Sequence, residues 1–405
     1  MPTPTKPLAG VRVLDFSKIL AGPLCTQYLA DMGAEVIKIE PVDTGDDTRA
    51  WPPFAGEGMG AVFLSANRGK RSLAINLKER EGLNLALSLA RTADVAIESF
   101  GSGVAERLGI HEEALRAVNP DIVYCSISGF GKTGPLRDAP GYDVVLQAYC
   151  GVMALTGEEG GPYMRSPISP IDQTTGMHAL TGILAALYGR KSGAAGSRVE
   201  VSLFETALGL MAYNLQSYWI KGAEPARAGS SHESLCPYQV FEAADGPILI
   251  AVANDNLWRR FCGVAGLGEI VADPRFATNP DRVANRAETV RLVQSAVALQ
   301  SVAWWIRELS AIRVPCAPIN GPVKLMEEPH TAESGMVLDA GHPVAGPLRT
   351  VAQPVRFNGE ARRMDIPPPA HGEHGHQILA EMGLSREEIA ALVSKGVVRL
   401  PARAS

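Results

Sequence analysis

The sequence predicts an α/β protein: a parallel sheet with helices on its faces, and a smaller unit after it. Strand-like and helix-like runs alternate through roughly the first two hundred residues, the pattern of parallel strands joined by helical crossovers. The texture breaks at 222–231, which is rich in Gly, Ala, Pro and Ser and reads as a linker. Residues 335–370 are again rich in Gly and Pro.

Taken in order, Val11–Phe16 reads as a short buried strand. Gly22-Pro23 opens a helix over roughly Leu24–Met32, and Gly33 ends it, because glycine takes the left-handed cap conformation without a Cβ penalty. Glu35–Glu40 alternates in polarity and forms the next strand. Ser72–Leu77 is a strand, Glu79–Thr92 a helix, Asp94–Ile97 a strand, Glu112–Val118 a short helix and Asp121–Ser126 a strand. Thr174–Tyr188 is strongly helical, and Val199–Met211 begins as strand and continues as helix. Beyond the linker, a unit at about 235–330 holds the strand Ile248–Val252 and helical stretches near 256–266 and 288–309. In the tail, Ser385 caps a helix running to Lys395, with Glu387 and Glu388 in its first turn.

At roughly 100–200 residues per domain, 405 residues suggest two or three domains. Apolar residues make up 46% and charged residues 20%, as in a globular protein, and the net charge is -5 with no basic block to bind nucleic acid. No apolar run reaches the roughly 18 residues that span a bilayer. The opening Met-Pro-Thr-Pro-Thr-Lys is unlike a signal peptide, so a cytoplasmic location is expected. Six cysteines stand at wide, irregular spacings without a C-x-x-C pair, and are expected to be buried free thiols.

Three patterns mimic motifs. Gly129-Phe130-Gly131-Lys132-Thr133-Gly134 fits G-x-G-x-x-G after a strand, but Pro135, Pro140 and Gly141 prevent the helix that a dinucleotide fingerprint requires. A loop shaping a pocket is the better reading. His371, His374 and His376 lack the i, i+4 spacing that puts two imidazoles on one helical face, so no metal is expected. Trp304-Trp305 reads as one core residue and a partly buried neighbour rather than a stacking platform. No G-x-S-x-G elbow is present.

Six stretches, in order and spacing, resemble the class III CoA-transferases, the family of formyl-CoA transferase and carnitine CoA-transferase. They are Leu14–Ser17 with Ala21–Pro23; Gly33–Glu40 with Gly45–Arg49; Asn67–Ser72 running into Ile75–Lys78; Asp94–Phe100 with Arg107–Gly109; Ser128–Gly131 with Gly141–Asp143; and Ile171-Asp172 with Gly176–His178 and Gly182–Leu187. Weaker similarity continues through Pro237-Tyr238, Asp245-Gly246 and the tail. The resemblance implies a Rossmann-like large domain built from 1–221 and 335–405, a smaller α/β domain inserted at 222–334, and two subunits interlocked as a homodimer. It also implies an enzyme that moves CoA from an acyl-CoA to a carboxylic acid, with coenzyme A as co-substrate and no metal. Succinyl-CoA is the donor used by many relatives.

Asp172 matches the family's nucleophile, whose carboxylate forms first an acyl anhydride and then an aspartyl-CoA thioester. Its position at the head of an apolar helix fits desolvation and a favourable helix dipole, and fits equally a plain N-cap. By the same resemblance Ala21, Ile75, Asn76, Leu77, Lys78, Ser99, Phe100 and Arg107 line the CoA site, with Lys78 and Arg107 suited to phosphates. Tyr142 and Asp143 lie near the acyl group. Lys38 matches the pattern or is a strand-end charge. Gly129, Gly131 and Gly134 are candidates for bringing backbone N–H groups to an oxyanion. Arg165, Arg227 and His232 are candidates for reading the far carboxylate of a dicarboxylic acid.

Two departures bear on the substrate. Leu20 stands where formyl-CoA transferase has Gln, and Gly229-Ser230-Ser231-His232 occupies the region of its glycine triplet, which argues against formyl-CoA and oxalate. An α-methylacyl-CoA racemase shares the fold but uses a His where this chain has Tyr142, and a phenol is a poor base near neutral pH. A non-catalytic CoA-binding protein would have no need of Asp172.

Overall fold

The computed structural model describes residues 6–401. In its first unit β1 (Arg12–Asp15), β2 (Glu35–Glu40), β3 (Lys70–Ile75), β4 (Val95–Glu98), β5 (Val123–Ser128) and β6 (Arg198–Ser202) run parallel in the order β3-β2-β1-β4-β5-β6. A short terminal strand, Val398–Arg399, adds antiparallel to β3 and completes a seven-stranded sheet. Strand alternation divides the core between two faces. Leu14, Ile37, Ile39, Ala96 and Tyr124 pack on one side, and Val13, Val36, Ile97, Cys125 and Ile127 on the other. Burial on both faces explains why adjacent strand positions are both apolar, as at Val13-Leu14 and Val36-Ile37.

Strand order reverses between β1 and β4. In open α/β sheets, ligands bind at the carboxyl ends of the strands at such a reversal. The loops after β1, β3, β4 and β5 therefore share the edge where a site is expected, and they carry most of the residues singled out above.

β2 and the Glu112–Val118 helix fall where the sequence placed them. β3 begins at Lys70, earlier than the expected Ser72, because Lys70 already pairs with Val36 of β2. Helix α1 (Ala21–Asp31) starts at Ala21 and takes Pro23 into its first turn, which proline tolerates. Gly33 ends the turn after it at φ 103°. The expected 288–309 helix is two, Arg286–Val297 and Val302–Ala311, because the Ser301 side chain accepts a hydrogen bond from the Trp304 N–H and starts a new one.

Three more helices matter for the site: α2 (Asp143–Tyr149), α3 (Pro170–Lys191) and α4 (Leu203–Leu210). Ile171, Thr175, Ala179, Ile183 and Leu187 recur every four residues on α3 and form its buried stripe. Arg190 and Lys191 in its last turn suit the helix dipole. A Cβ on Gly176 would stand 2.5 Å from the carbonyl oxygen of Ala21, and one on Gly182 would meet Val199 at 2.6 Å. Gly176 thus lets α3 press directly on α1. Gly176→Ala is expected to destabilise the fold by about 1–3 kcal/mol through overpacking, read as a lower urea midpoint.

The division into units departs from the expected boundaries at 221/222 and 334/335. Of the described residues, the first unit comprises those up to Cys150, Ser166–Tyr213, and those from His330 onward; the second comprises Gly151–Arg165 and Asn214–Pro329. The Gly-rich 222–231 stretch lies inside the second unit, because Ser217 and Lys221 before it bind the Glu233 carboxylate after it. Composition marks irregular chain, whereas contacts decide where a unit ends.

The second unit has an antiparallel sheet of β7 (Tyr238–Ala243), β8 (Gly246–Ala251) and β9 (Cys316–Pro318). Its core stacks Trp258, Phe261 and Trp305, the last donating its indole N–H to the Val297 carbonyl at 2.9 Å. Trp304 lies half-buried beside it.

Candidate active site

Asp172 is the third residue of α3, not its N-cap. The N-cap is Ser169, a left-handed residue at φ 48° whose side chain caps nothing. The first helical N–H groups need acceptors all the same. Asp143 supplies one from α2: its Oδ2 accepts from the N–H of Ile171 at 2.8 Å and of Asp172 at 3.0 Å. Its Oδ1 accepts from the amide of Gln147. Gln147 in turn accepts from the Ser166 N–H at 2.8 Å and donates to the Ser166 carbonyl at 3.3 Å. One buried carboxylate and one buried amide thus hold both ends of the 166–172 segment.

The Asp172 carboxylate itself accepts no hydrogen bond among the described residues. Burial lifts its pKa from the ordinary 3.8 to about 7, and the nearby Asp143 charge adds to the rise. Asp143 has taken the N–H groups of Ile171 and Asp172, the donors that a carboxylate at a helix start would otherwise use. The result is a partly buried carboxylate with no hydrogen-bond donor on it and a raised pKa. These are the properties of an activated nucleophile.

Gly129 lies where two loops cross. A Cβ there would stand 2.8 Å from the Gly141 Cα, so the two loops cross backbone to backbone. That crossing delivers Tyr142 and Asp143 to the site. Gly131 and Gly134 lie in left-handed turns at φ 91° and 84°. No helix opens at this loop; the next one begins at Asp143. Asp143 is buried with both oxygens engaged by the protein, while Tyr142 is 52% exposed.

The remaining residues divide by side chain and backbone. Ala21 begins α1 beside Gly176. Ile75 is buried in the sheet core and Leu77 packs against it, so only their main chains can face a ligand. The Asn76 side chain accepts from the Lys78 N–H at 3.1 Å and shapes the turn. Ser99 binds the loop after β1, its Oγ accepting from the Lys18 N–H at 2.9 Å. Phe100 is partly buried against the core, and its N–H donates to Glu98 at 2.8 Å. Lys78 and Arg107 are exposed and have no ion pair among the described residues.

Lys38 is not a strand-end surface charge. It is fully buried, bound to Asp46 at 2.9 Å and to the Ser17 carbonyl at 2.9 Å. Lys70 beside it binds Asp15 at 3.0 Å and the Pro23 carbonyl at 2.9 Å. Glu40 receives two bonds from Arg49 at 2.8 Å and one from Ser72 at 2.6 Å. Burial opposes the charge on Asp15 and Glu40, but their cations and hydroxyl donors outweigh it and hold both at about 2. Burial lowers Lys70 to about 8 against the pull of Asp15. This cluster holds the turn from Ser17 to Pro23, where α1 begins.

Of the proposed carboxylate readers, Arg227 donates to the Pro162 carbonyl at 2.9 Å and lies over Tyr163 at 5.0 Å. His232 accepts from the Ser234 N–H at 3.1 Å and meets Tyr238 edge-on. Both stitch loops of the second unit, while Arg165 is exposed. His371 binds the Pro41 carbonyl at 2.9 Å, and His374 accepts from the Ser72 N–H at 3.3 Å. Among the described residues no cluster of His, Cys, Asp or Glu could hold a metal ion, and no helix is long and apolar enough to cross a membrane.

The model of CoA-transferase family III matches residues 8–375. A succinate–glutarate CoA-transferase of Agrobacterium fabrum is 38% identical over 94% of this chain and 97% of its own. An acetyl-CoA:oxalate CoA-transferase of Acetobacter aceti is 36% identical over 97% of this chain and 98% of its own. Among solved structures, a CAIB/BAIF family protein from Brucella suis superposes with a TM-score of 0.82 at 36% identity, over 94% of this chain and 100% of that one.

Proposed function

We propose, from the premise that this chain belongs to CoA-transferase family III, that it moves CoA from succinyl-CoA to a dicarboxylic acid acceptor through Asp172. The observation that carries the mechanism is the unpaired, partly buried Asp172 carboxylate at the carboxyl edge of the sheet, with a pKa raised to about 7. The acids in the name of the succinate–glutarate relative support the substrate class. The relative named for oxalate keeps that acid among the candidates despite Leu20.

The Asp172 carboxylate attacks the thioester carbon and expels CoA as thiolate, forming a mixed anhydride. The thiolate then attacks the Asp172 carbonyl, releasing succinate and leaving an aspartyl-CoA thioester. The acceptor carboxylate attacks that thioester and again expels thiolate. The thiolate finally attacks the acceptor carbonyl, forms the new acyl-CoA and restores the Asp172 carboxylate. No step needs a net proton or an oxidant. Lys78 and Arg107 hold CoA phosphates, and Ala21, Ser99 and Phe100 line its path.

A homodimer belongs to this reading. The helix Ala212–Lys221 buries none of its residues and exposes Tyr213, Trp219 and Ile220, a patch suited to a partner. If the subunits interlock, dilution leaves the dimer mass unchanged until the chains unfold. Six free cysteines fit a reducing, cytoplasmic setting.

The test is borohydride trapping. Incubation with succinyl-CoA and no acceptor, reduction and peptide mapping should show Asp172 converted to the alcohol only when acyl-CoA is present. An unmodified Asp172 together with solvent deuterium entering a 2-methylacyl-CoA would replace the transferase with a racemase.

A further inference from the structure

The turn after β1 is held more firmly than its length requires. The Ser17 N–H donates to Asp15 at 3.0 Å and its carbonyl accepts from Lys38 at 2.9 Å. The Lys18 N–H donates to Ser99 at 2.9 Å, and the Ile19 N–H to Asp46 at 3.3 Å. Ile19 is held at φ 70°, a left-handed conformation that β-branched residues rarely adopt. Strain of this kind persists where surrounding bonds over-determine it, and it concentrates at functional sites.

Within this locked turn the Lys18 side chain is loosely held. Its Nζ lies 3.6 Å from Asp47, beyond hydrogen-bond range, and the Asp47 side chain is 49% exposed. Lys38 and Lys70 nearby are fully buried with partners at 2.9–3.0 Å. A fixed backbone thus presents one partly buried cation, with an ion pair but no hydrogen-bond acceptor among the described residues, at the reversal between β1 and β4. The chain continues from it directly into Ala21, against which α3 packs one turn beyond Asp172.

Resting on the transferase reading above, we infer that Lys18 leaves Asp47 to bind the free carboxylate of a dicarboxylic acid whose other carboxylate reacts at Asp172. Lys78 and Arg107 already serve the phosphates at the ends of β3 and beyond β4. Arg227 and His232 are engaged in their own loops. Lys18 lies on the turn that the nucleophile's helix packs against. Asp47 acts as a placeholder that keeps the ammonium oriented until a diacid displaces it.

The test compares glutarate with valerate, which matches it in carbon number but lacks the second carboxylate. With full-length protein and saturating succinyl-CoA, each acid is measured as acceptor, and as a competitive inhibitor of succinate exchange where turnover is slow. Lys18→Met is expected to raise KM or Ki for glutarate by about 10–100-fold, the range of a charged hydrogen bond, and to leave valerate unchanged. Lys18→Arg should recover most of the loss, and Asp47→Asn should tighten glutarate several-fold. Equal losses for glutarate and valerate would assign Lys18 to CoA or to the turn itself and overturn the inference, as would an unchanged glutarate constant. A wild-type chain that exchanges no CoA and leaves Asp172 unmodified would instead remove the transferase reading on which the inference rests.

Discussion

Asp172→Asn loses CoA exchange by about 10⁴-fold or more in kcat, the scale on which removing a nucleophile acts. The amide is close to isosteric with the carboxylate, so the fold survives and the borohydride label disappears. Stability provides an independent check. A carboxyl whose folded pKa is about 7 against 3.8 when unfolded favours the folded state most when protonated. Its ionisation weakens the wild type progressively as the pH rises from about 4 to about 7. The asparagine variant escapes that loss. It is expected to melt above the wild type at pH 8 and level with it below pH 4, by calorimetry at matched ionic strength. A variant that is inactive but no more stable at pH 8 would show that Asp172 is not held in a costly ionised state.

Asp143 variants separate positioning from electrostatics. Asp143→Ala removes the acceptor for the Ile171 and Asp172 N–H groups, so it costs about 1–2 kcal/mol of stability, as a lost helix cap does, and about 10–100-fold in kcat/KM. Asp143→Asn keeps one oxygen as acceptor but removes the charge that helps lift Asp172. The acid limb of the kcat/KM profile, set by Asp172, is then expected to move to lower pH, with a smaller loss of rate than in the alanine variant. A midpoint that stays in place would mean that burial alone sets the basicity of Asp172. A purely structural role for Asp143 would lower the plateau without moving the limb.

The sheet was readable because strands buried on both faces carry adjacent apolar residues, as Val36-Ile37 does within Glu35–Glu40. Helix starts were less readable, since α1 begins at Ala21 and α3 at Pro170, ahead of the apolar stripes that signal them. Asp172 is singled out by the motifs around it, but its surroundings were not legible. The cap comes from Asp143, 29 positions away, and is relayed through Gln147 to Ser166. The i, i+4 spacing of Asp143 and Gln147 was the one local hint. Lys38 looked like a surface charge because its partners, Asp46 and the Ser17 carbonyl, meet it only when the sheet forms. Lys18 carried no sequence signal: a lysine after a strand is ordinary until its neighbours are seen to be committed elsewhere.

The antiparallel strand Val398–Arg399 makes the order of synthesis matter. It pairs with Ala74 and Ile75 of β3, and Val397 accepts from the Asn76 N–H at the turn carrying the proposed CoA-site residues. While a ribosome is still making the middle of the chain, β3 is an open edge, able to recruit another strand. The second unit draws mainly on one contiguous stretch and can mature earlier during translation. A chain cut short before Val398 would emerge with Asp172 in place and its sheet unsealed, a species for chaperones and proteases rather than a slower enzyme.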